Sequence, residues 1–252
     1  MKLRSIAIAL PHKQVDAQTI ADWTSSDVAF IKDKIGIESR AFLSGEETQV
    51  SLAVAACENL FKENTELKRD AVQMLVVITQ NPDFKLPHSS AIIQEKLGLL
   101  KNVAAFDVNL GCSGYVYGLS ITKAMMALQG FSNAILITSD PYSTIMAQED
   151  RDTVSIFGDA ATATWLSVEK GAEIGIADMG TDGAGAENLM IKAGGSAHRV
   201  YDLWNNSPAD FKNAEYRLTM NGRAIFNFMM ERVPQTVDDC LQKNSLSKSD
   251  ID

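Results

Sequence analysis

Short apolar runs alternate with stretches of helical periodicity along the first part of the chain. Runs rich in Val, Ile, Leu and Ala predict buried strands over 3–10, 72–79, 103–109 and 134–138. Between them, apolar residues at helical spacing predict helices over 17–22, 27–34, 48–62, 88–97 and 113–129. This alternation predicts an α/β fold with a predominantly parallel sheet that is covered by helices on both faces.

The pattern changes after residue 155. Residues 156–166 are small and β-branched, and they predict a strand that pairs with another strand over 173–179. Residues 181–217 form a loop-rich stretch. Residues 220–241 predict a long helix with one apolar stripe, made of Ile225, Met229, Val233, Val237 and Leu241. Pro234 should kink this helix or divide it, and residues 250–252 have the pattern of a strand that begins there.

Composition narrows the class of protein. With 252 residues, 46% of them hydrophobic and 22% charged, the chain suits one large or two small globular domains. A net charge of −9 argues against nucleic acid and anionic membranes as partners. The first apolar run is too short for a signal peptide, and no later run is long enough to span a bilayer. The three cysteines are far apart, which fits a cytoplasmic protein.

One cysteine lies at a sharp turn of the pattern. The segment Gly111-Cys112-Ser113-Gly114 joins the strand over 103–109 to the helix over 113–129. Unpaired N–H groups and the positive dipole end at a helix N-terminus stabilise a thiolate, the nucleophilic form of cysteine. Flanking glycines allow a tight turn and the close approach of a ligand. The segment therefore predicts a strand-turn-helix nucleophile elbow that carries cysteine.

The same spacing is equally compatible with a small core residue, because free cysteine is among the most buried residue types. A base for Cys112 would have to be His12, His88 or His198. We expect His88 to be exposed in a first helical turn, and a solvated loop position is the commoner case for His198. Residues 180–186 lack dinucleotide spacing and no residues have zinc spacing, so neither cofactor nor metal is expected.

Three groups of residues together resemble one enzyme family. They are Phe106-Asp107-Val108 with Gly111-Cys112-Ser113-Gly114, then Asp150-Arg151-Asp152-Thr153 with Phe157-Gly158-Asp159-Ala160-Ala161, and finally 218–226, Leu-Thr-Met-Asn-Gly-Arg-Ala-Ile-Phe. In order and spacing this set resembles 3-oxoacyl-acyl-carrier-protein synthase III. The likeness runs from the strand over 3–10 to the last residue, and the set is specific although no single motif is.

The resemblance implies a thiolase-like α/β fold, with two similar halves stacked as alternating αβαβα layers, and a homodimer. Residues 1–170 would form the half with the nucleophile, and 171–252 an incomplete second half. Cys112 would take an acyl group from an acyl-coenzyme A, and the carbanion released when malonyl-acyl carrier protein loses carbon dioxide would then attack the thioester. Cysteine suits both steps because it is a good nucleophile and a good leaving group. Its backbone N–H can help to hold the oxyanion.

The resemblance also implies five substrate-binding positions. Arg151 would lie at the coenzyme A entrance, and Phe157 would line the acyl tunnel. Leu86 would close that tunnel from the neighbouring subunit. Phe30 replaces a tryptophan that stacks near the adenine. Glu38 stands where an arginine usually meets the nucleotide, and this reversal of charge should weaken the binding of a phosphate-bearing donor.

Two groups of the family have no position in this chain. They are a histidine just after the strand that would begin at 250–252 and a later asparagine, which stabilise the carbanion. We expect the chain to be a fragment of a longer protein, because a sheet cut here would leave unpaired strand edges. The carboxylates near Arg151 are expected to be solvated surface charge; they are Glu149, Asp150, Asp152 and Asp159.

Two other functions remain open from the sequence. One uses the same acyl-cysteine but transfers the acyl group to a hydroxyl or amine acceptor, for which the missing groups would matter less. The other is a non-catalytic partner subunit that keeps the fold and the dimer surface. Cys112 argues against this second alternative, because an inactive subunit needs no thiol at the elbow.

Overall fold

The computed structural model describes residues 1–199 and 214–251. Its strands are β1 (Lys2–Ala9), β2 (Lys13–Asp16), β3 (Ser39–Phe42), β4 (Met74–Ile78), β5 (Ala104–Val108), β6 (Asn133–Ser139), β7 (Ala161–Ser167), β8 (Ala172–Glu173), β9 (Leu189–Met190) and β10 (Thr219–Met220). Its α-helices are α1 (Ala17–Thr24), α2 (Gln49–Glu63), α3 (Ser89–Lys96), α4 (Gly114–Gln129), α5 (Arg151–Val154) and α6 (Gly222–Lys243). A π-helix spans Phe30–Ile35.

A six-stranded sheet with the order β5-β4-β6-β7-β1-β8 forms the centre of the molecule. Strand β4 runs parallel to β5 and β6, but the pairings β6–β7, β7–β1 and β1–β8 are antiparallel. The prediction of a predominantly parallel sheet is therefore wrong. Between β6 and β7 the chain forms only short helical turns, so it makes no helical crossover and returns in the opposite direction.

The predicted strand over 156–166 and its pairing also need correction. Strand β7 begins at Ala161, and the residues just before it are irregular because the Asp159 N–H donates to the Ala41 carbonyl at 2.8 Å. Both edges of β7 are occupied by β6 and β1. The predicted strand over 173–179 is reduced to β8, which therefore pairs with β1 instead.

Helices cover both faces of the sheet, as predicted. Helix α2 begins with a capping box between Thr48 and Ser51 and packs with α3 on one face, where Cys57 is fully buried. Helix α4 packs on the other face. It approaches the sheet so closely that an ideal Cβ on Gly118 would lie only 2.8 Å from Leu136 Cδ1. Gly130 ends α4 in the left-handed conformation, as expected of a C-terminal glycine.

A second cluster lies outside the six-stranded sheet and includes a two-stranded antiparallel sheet that the pattern does not predict. Strands β2 and β3 pair over four residues each, which is too short for a clear alternation. Val15, Ile20, Ile31 and Phe42 form the centre of this cluster. The predicted helix over 27–34 forms as the π-helix. This unit packs on the segment that connects β6 to β7 and so borders the edge of the sheet where Cys112 lies.

The last part of the described chain holds the small pair β9–β10 and the long helix α6. Helix α6 continues past Pro234, so the predicted division there is wrong. Met229, Val233 and Val237 of the apolar stripe are exposed, and α6 has no buried residue in the described part of the chain. Asp250 belongs to a 3-10 turn instead of a strand, and Asp252 lies outside the described residues. No helix within 1–199 and 214–251 is both long and apolar enough to cross a membrane.

Candidate active site around Cys112

Cys112 lies in the turn between β5 and α4, one residue before the N-cap residue Ser113. The turn is closed by a hydrogen bond from the Gly114 N–H to the Gly111 carbonyl at 2.8 Å. Cys112 is exposed, whereas Cys57 is buried. Its exposure excludes the alternative of a buried core residue, and its place at the start of α4 agrees with the predicted elbow.

A cleft of about 290 Å³ lies beside the Cys112 thiol. It forms where β4 and β6 end and β7 begins, at the carboxyl edge of the parallel strands, where ligands bind in open α/β sheets. None of the chain's three histidines lines it; the lining residues are Ile78, Gly111, Cys112, Tyr115, Thr138, Ser139, Asp140, Gly158 and Ala160. Within the described ranges, no group of three or more His, Cys, Asp or Glu side chains could hold a metal ion.

Asp140 is the carboxylate of this cleft, and it ties two loops together. Its Oδ1 accepts hydrogen bonds from the backbone N–H of Gln80 at 2.7 Å and of Asn81 at 3.0 Å, and from Thr79 Oγ1 at 3.0 Å. Burial raises the pKa of Asp140, and these hydrogen bonds offset part of that rise. The ends of β4 and β6 are therefore held together next to Cys112.

Tyr142 connects the Cys112 turn to Phe157. Its hydroxyl donates to Gln80 Oε1 at 2.8 Å, and its ring centroid lies 5.0 Å from that of Phe157. Burial raises the pKa of Tyr142, and the negative charges of Asp140 and Cys112 raise it further. The phenol therefore stays protonated and acts as a hydrogen-bond donor.

The predicted pair of Phe30 and Arg151 is brought together. Arg151 is exposed at the start of α5, and its Cζ lies 5.4 Å from the centroid of the Phe30 ring. Arg40 contacts α5 through a hydrogen bond from its Nη1 to the Val154 carbonyl at 2.7 Å. Burial lowers the pKa of Arg40, which is 7% exposed. A planar cation over an exposed aromatic ring forms a surface on which a flat ligand can stack.

None of the five predicted substrate-binding positions lines the cleft. Leu86 and Glu38 also lie away from the pair of Phe30 and Arg151 in the sequence. Leu86 is 86% exposed in the loop before α3. Glu38 is exposed just before β3, and its backbone carbonyl accepts a hydrogen bond from the Ala17 N–H at 2.8 Å. His88 is exposed at the N-terminus of α3, as expected, and His198 is exposed in its loop.

Asp159 is not the solvated charge that we expected from the sequence. It is 2% exposed, and it accepts hydrogen bonds from the Leu43 N–H at 2.7 Å, the Ser143 N–H at 2.9 Å and the Ser143 hydroxyl. Asp150 is also engaged, because it caps α5. Glu149 and Asp152 are exposed as predicted.

Gln80, Asp140 and Tyr142 are residues of the site that sequence reasoning missed. Gln80 and Asp140 stand one or two residues after β4 and β6, at the edge where Cys112 lies. The sequence signal that could have identified Gln80 and Asp140 is therefore their position directly after a buried parallel strand. Tyr142 has no such signal, since Gln80, its hydrogen-bond partner, is 62 residues away in the sequence.

Comparison with known proteins gives a consistent result. The sequence profile of the family described as 3-oxoacyl-[acyl-carrier-protein] synthase III matches residues 106–183. A solved 3-oxoacyl-(acyl-carrier-protein) synthase III is 32% identical with a TM-score of 0.91, over 100% of this chain and 76% of that one. A 3-oxoacyl-(acyl-carrier protein) synthase from Burkholderia xenovorans is 27% identical with a TM-score of 0.85, over 98% of this chain and 70% of that one.

These structures confirm the thiolase-like α/β fold class. The β-ketoacyl-[acyl-carrier-protein] synthase III of Chlamydia caviae is 30% identical over 245 residues, which are 96% of this chain and 71% of that protein. Identity at this level over so much of both proteins shows common descent and a common fold. The chain therefore belongs to the 3-oxoacyl-acyl-carrier-protein synthase III family of condensing enzymes.

Proposed function

We propose that the protein is an acyltransferase in which Cys112 takes an acyl group from acyl-coenzyme A and condenses it with malonyl-acyl carrier protein to give 3-oxoacyl-acyl carrier protein. The exposed thiol at the start of α4, beside a cleft, carries this proposal. Family membership supports it, because a relative that is 30% identical over 96% of this chain is named β-ketoacyl-acyl-carrier-protein synthase III. The pathway would be the initiation of fatty-acid or related acyl chains.

In the first half-reaction the Cys112 sulfur attacks the thioester carbonyl. The sulfur–carbon bond to the enzyme forms, and the bond to coenzyme A breaks as its thiolate leaves. The N-terminus of α4 favours negative charge on Cys112 and on the developing oxyanion. No metal is needed, since the nucleophile and the leaving group are both thiolates.

The donor would enter over Phe30 and Arg151. A purine ring can stack on Phe30. Arg151 can contact phosphate because it is exposed and its ion pair with Asp152, at 3.9 Å between Nε and Oδ1, is a long one at the surface. Lys34, one turn after Phe30 in the π-helix, adds positive charge to this surface. It offsets part of the unfavourable charge of Glu38.

In the second half-reaction the carbanion left after malonyl decarboxylation attacks the acyl-cysteine carbonyl. The new carbon–carbon bond forms, and the Cys112 thiolate leaves and is ready for another cycle. The loss of carbon dioxide supplies the electron pair of that bond. Acyl carrier protein is therefore the second proposed partner, and we expect neither nucleic acid nor a membrane to take part in this cytoplasmic reaction.

The decisive experiment is intact-mass spectrometry of the purified protein with acetyl-coenzyme A. We expect one acyl adduct, absent in Cys112→Ser and retained in the control Cys240→Ser. Addition of malonyl-acyl carrier protein then tests the condensation, because this chain has no position for the histidine and asparagine that the family uses: loss of the adduct with release of carbon dioxide supports it. An adduct that persists with malonyl-acyl carrier protein but is removed by an alcohol or an amine would favour transfer to another acceptor, and the absence of any adduct would favour the non-catalytic subunit.

A homodimer is the proposed assembly. Strand β5 is an edge of the six-stranded sheet among the described residues, and unpaired edges invite pairing with another chain. Leu86 and Phe84 stand exposed in the loop before α3, at 86% and 59% exposure, where a second copy could cover them. Light scattering should give twice the mass of the chain, and Leu86→Asp should shift the protein towards monomer, whereas Leu128→Asp, an equally apolar exposed site on α4, should not.

A further inference from the structure

We propose that Arg40 is a positioning residue that holds Arg151 over the ring of Phe30. This inference rests on the proposed function, since it concerns the surface on which the nucleotide of the donor would bind. The guanidinium of Arg40 is only 7% exposed, so it acts through α5, the helix that begins with Arg151, instead of contacting the donor itself.

Helix α5 has only four residues, and a single turn of helix is not stable in water without other contacts. At its start, Asp150 caps the helix by accepting a hydrogen bond from the Asp152 N–H at 3.1 Å. At its end, the Val154 carbonyl accepts the 2.7 Å hydrogen bond from Arg40 Nη1. The position of Arg151 therefore depends on Arg40 through one turn of helix.

The strand that carries Arg40 also fixes the segment that carries Phe30. The π-helix that begins with Phe30 is followed in the chain by β3, which contains Arg40. Ile31 of the π-helix and Phe42 of β3 are buried in the same apolar cluster. Strand β3 also lies close to the chain after α5, since an ideal Cβ on Gly158 would lie 3.0 Å from Arg40 Cβ. Arg40 thus joins the element that carries Phe30 to α5.

Stability of the fold does not explain an arginine at this position. Among the described residues, the Nε and Nη2 atoms of Arg40 have no hydrogen-bond partner. Burial lowers the pKa of this guanidinium, because its charge is removed from water. A buried charge with incomplete pairing is unfavourable, and an apolar side chain of similar volume is often tolerated as well or better. We therefore expect Arg40→Met to fold, with a melting temperature within about 4 °C of the wild type.

The test compares acetyl-coenzyme A with acetyl-N-acetylcysteamine, which lacks the nucleotide, as donors for the acylation of Arg40→Met. The KM for acetyl-coenzyme A should rise by about fivefold, because Arg151 is no longer held in place for phosphate. The rate with acetyl-N-acetylcysteamine should not change. Arg69→Met is the matched control, since Arg69 also donates to a backbone carbonyl, that of Leu97 at the end of α3, at 2.9 Å. Its KM should stay at the wild-type value.

A double variant shows whether Arg40 acts through Arg151. In the Arg151→Ala background, the further change Arg40→Met should not raise the KM again, because both changes remove the same contact. Effects that multiply would overturn the inference while the proposed function stands. An equal loss with both donors, or an unchanged KM in Arg40→Met, would overturn it in the same way.

Two further measurements cover the other outcomes. Should Arg40→Met not fold, Arg40→Lys takes its place, because its side chain is one bond shorter and reaches the Val154 carbonyl only if α5 moves. If no donor acylates the wild type, the proposed function fails, and the binding of coenzyme A, measured by calorimetry, still tests Arg40. The Kd should rise by about fivefold in the Arg40 variant and stay constant in Arg69→Met. An equal Kd in all three proteins, or no binding to the wild type, would contradict the inference.

Discussion

Arg151 lies over the ring of Phe30, with its Cζ 5.4 Å from the ring centroid, although the two residues are far apart in the chain. We expect Phe30→Ala to raise the KM for acetyl-coenzyme A by about two- to fivefold, because a stacked surface is lost. Arg151→Ala should raise it by about tenfold, because a charge-assisted contact to phosphate is lost as well.

Acetyl-N-acetylcysteamine, a thioester without a nucleotide, separates binding at this surface from chemistry at Cys112. Its rate of acylation should not change in either variant. If both variants slowed acylation by the two donors equally, Phe30 and Arg151 would act on the fold or on the thiol instead of on the nucleotide.

The cysteines should differ sharply in their reaction with iodoacetamide at about pH 7. Cys112 is exposed, whereas burial raises the pKa of Cys57 far above its usual range and also blocks access. We expect peptide mapping to show Cys112 labelled first. Labelling of Cys57 in the folded protein should be slower by at least about a hundredfold, since it requires local opening. Comparable rates at the two sites would contradict the burial of Cys57 on the inner face of α2.

Asp140→Asn should change how stability depends on pH. Because burial raises the pKa of Asp140 above its ordinary value of 3.8, the folded state still holds a proton just above pH 3.8 that the unfolded state has released. Stability of the wild type therefore falls as pH rises through this window. The asparagine keeps an oxygen acceptor but does not titrate, so the stability of the variant relative to the wild type should rise as pH rises above 3.8.

Urea unfolding at several pH values measures this difference, and Asp16→Asn is the control of opposite sign. Hydrogen bonds from Thr19 lower the pKa of Asp16, so its contribution is present above 3.8 and is lost as pH falls. Parallel pH profiles for the wild type and Asp140→Asn would show that Asp140 titrates in the folded state as it does in the unfolded chain.

The spacing between α4 and the sheet should depend on Gly118. An ideal Cβ there would lie 2.8 Å from Leu136 Cδ1 and 3.0 Å from Ile78 Cδ1, and both side chains are buried. We expect Gly118→Ala to lower the free energy of unfolding by roughly 1–3 kcal/mol through overpacking.

Gly222→Ala is the matched control, because nothing lies within 4 Å of an ideal Cβ in this first position of α6. It should be neutral or stabilising by up to about 1 kcal/mol. Urea midpoints measure both effects. Equal stability of the wild type and Gly118→Ala would mean that α4 can move away from the sheet without loss.

Local signals in the sequence were sufficient for the elements that hold Cys112. Strand β4 is a continuous apolar run, α2 follows the N-cap residue Thr48, and α4 ends at a glycine in the left-handed conformation. Each of these signals lies within or directly beside the element it predicts, and all three predictions are confirmed. The strand-turn-helix around Cys112 could therefore be placed from neighbouring residues alone.

Properties that depend on distant partners could not be read in this way. Strand β7 lies antiparallel between β6 and β1. This position depends on which strand edges remain unpaired as the sheet forms. Asp159 was misread because its donors, Leu43 and Ser143, come from distant loops. The hydrogen bond between Tyr142 and Gln80 has the same origin, since neither residue carries a periodic signal.

Asp159 accepts hydrogen bonds from the residue that follows β3 and from the residue after Tyr142. One carboxylate thus joins the segment near Arg40 and α5 to the segment that holds Tyr142 beside the thiol. In native-state hydrogen exchange, the amides of Leu43 and Ser143 should open as one cooperative unit with a single free energy. A fluctuation that opens the surface over Phe30 would then also open the surroundings of Cys112. We therefore expect the entry of the donor and the access to the thiol to be coupled.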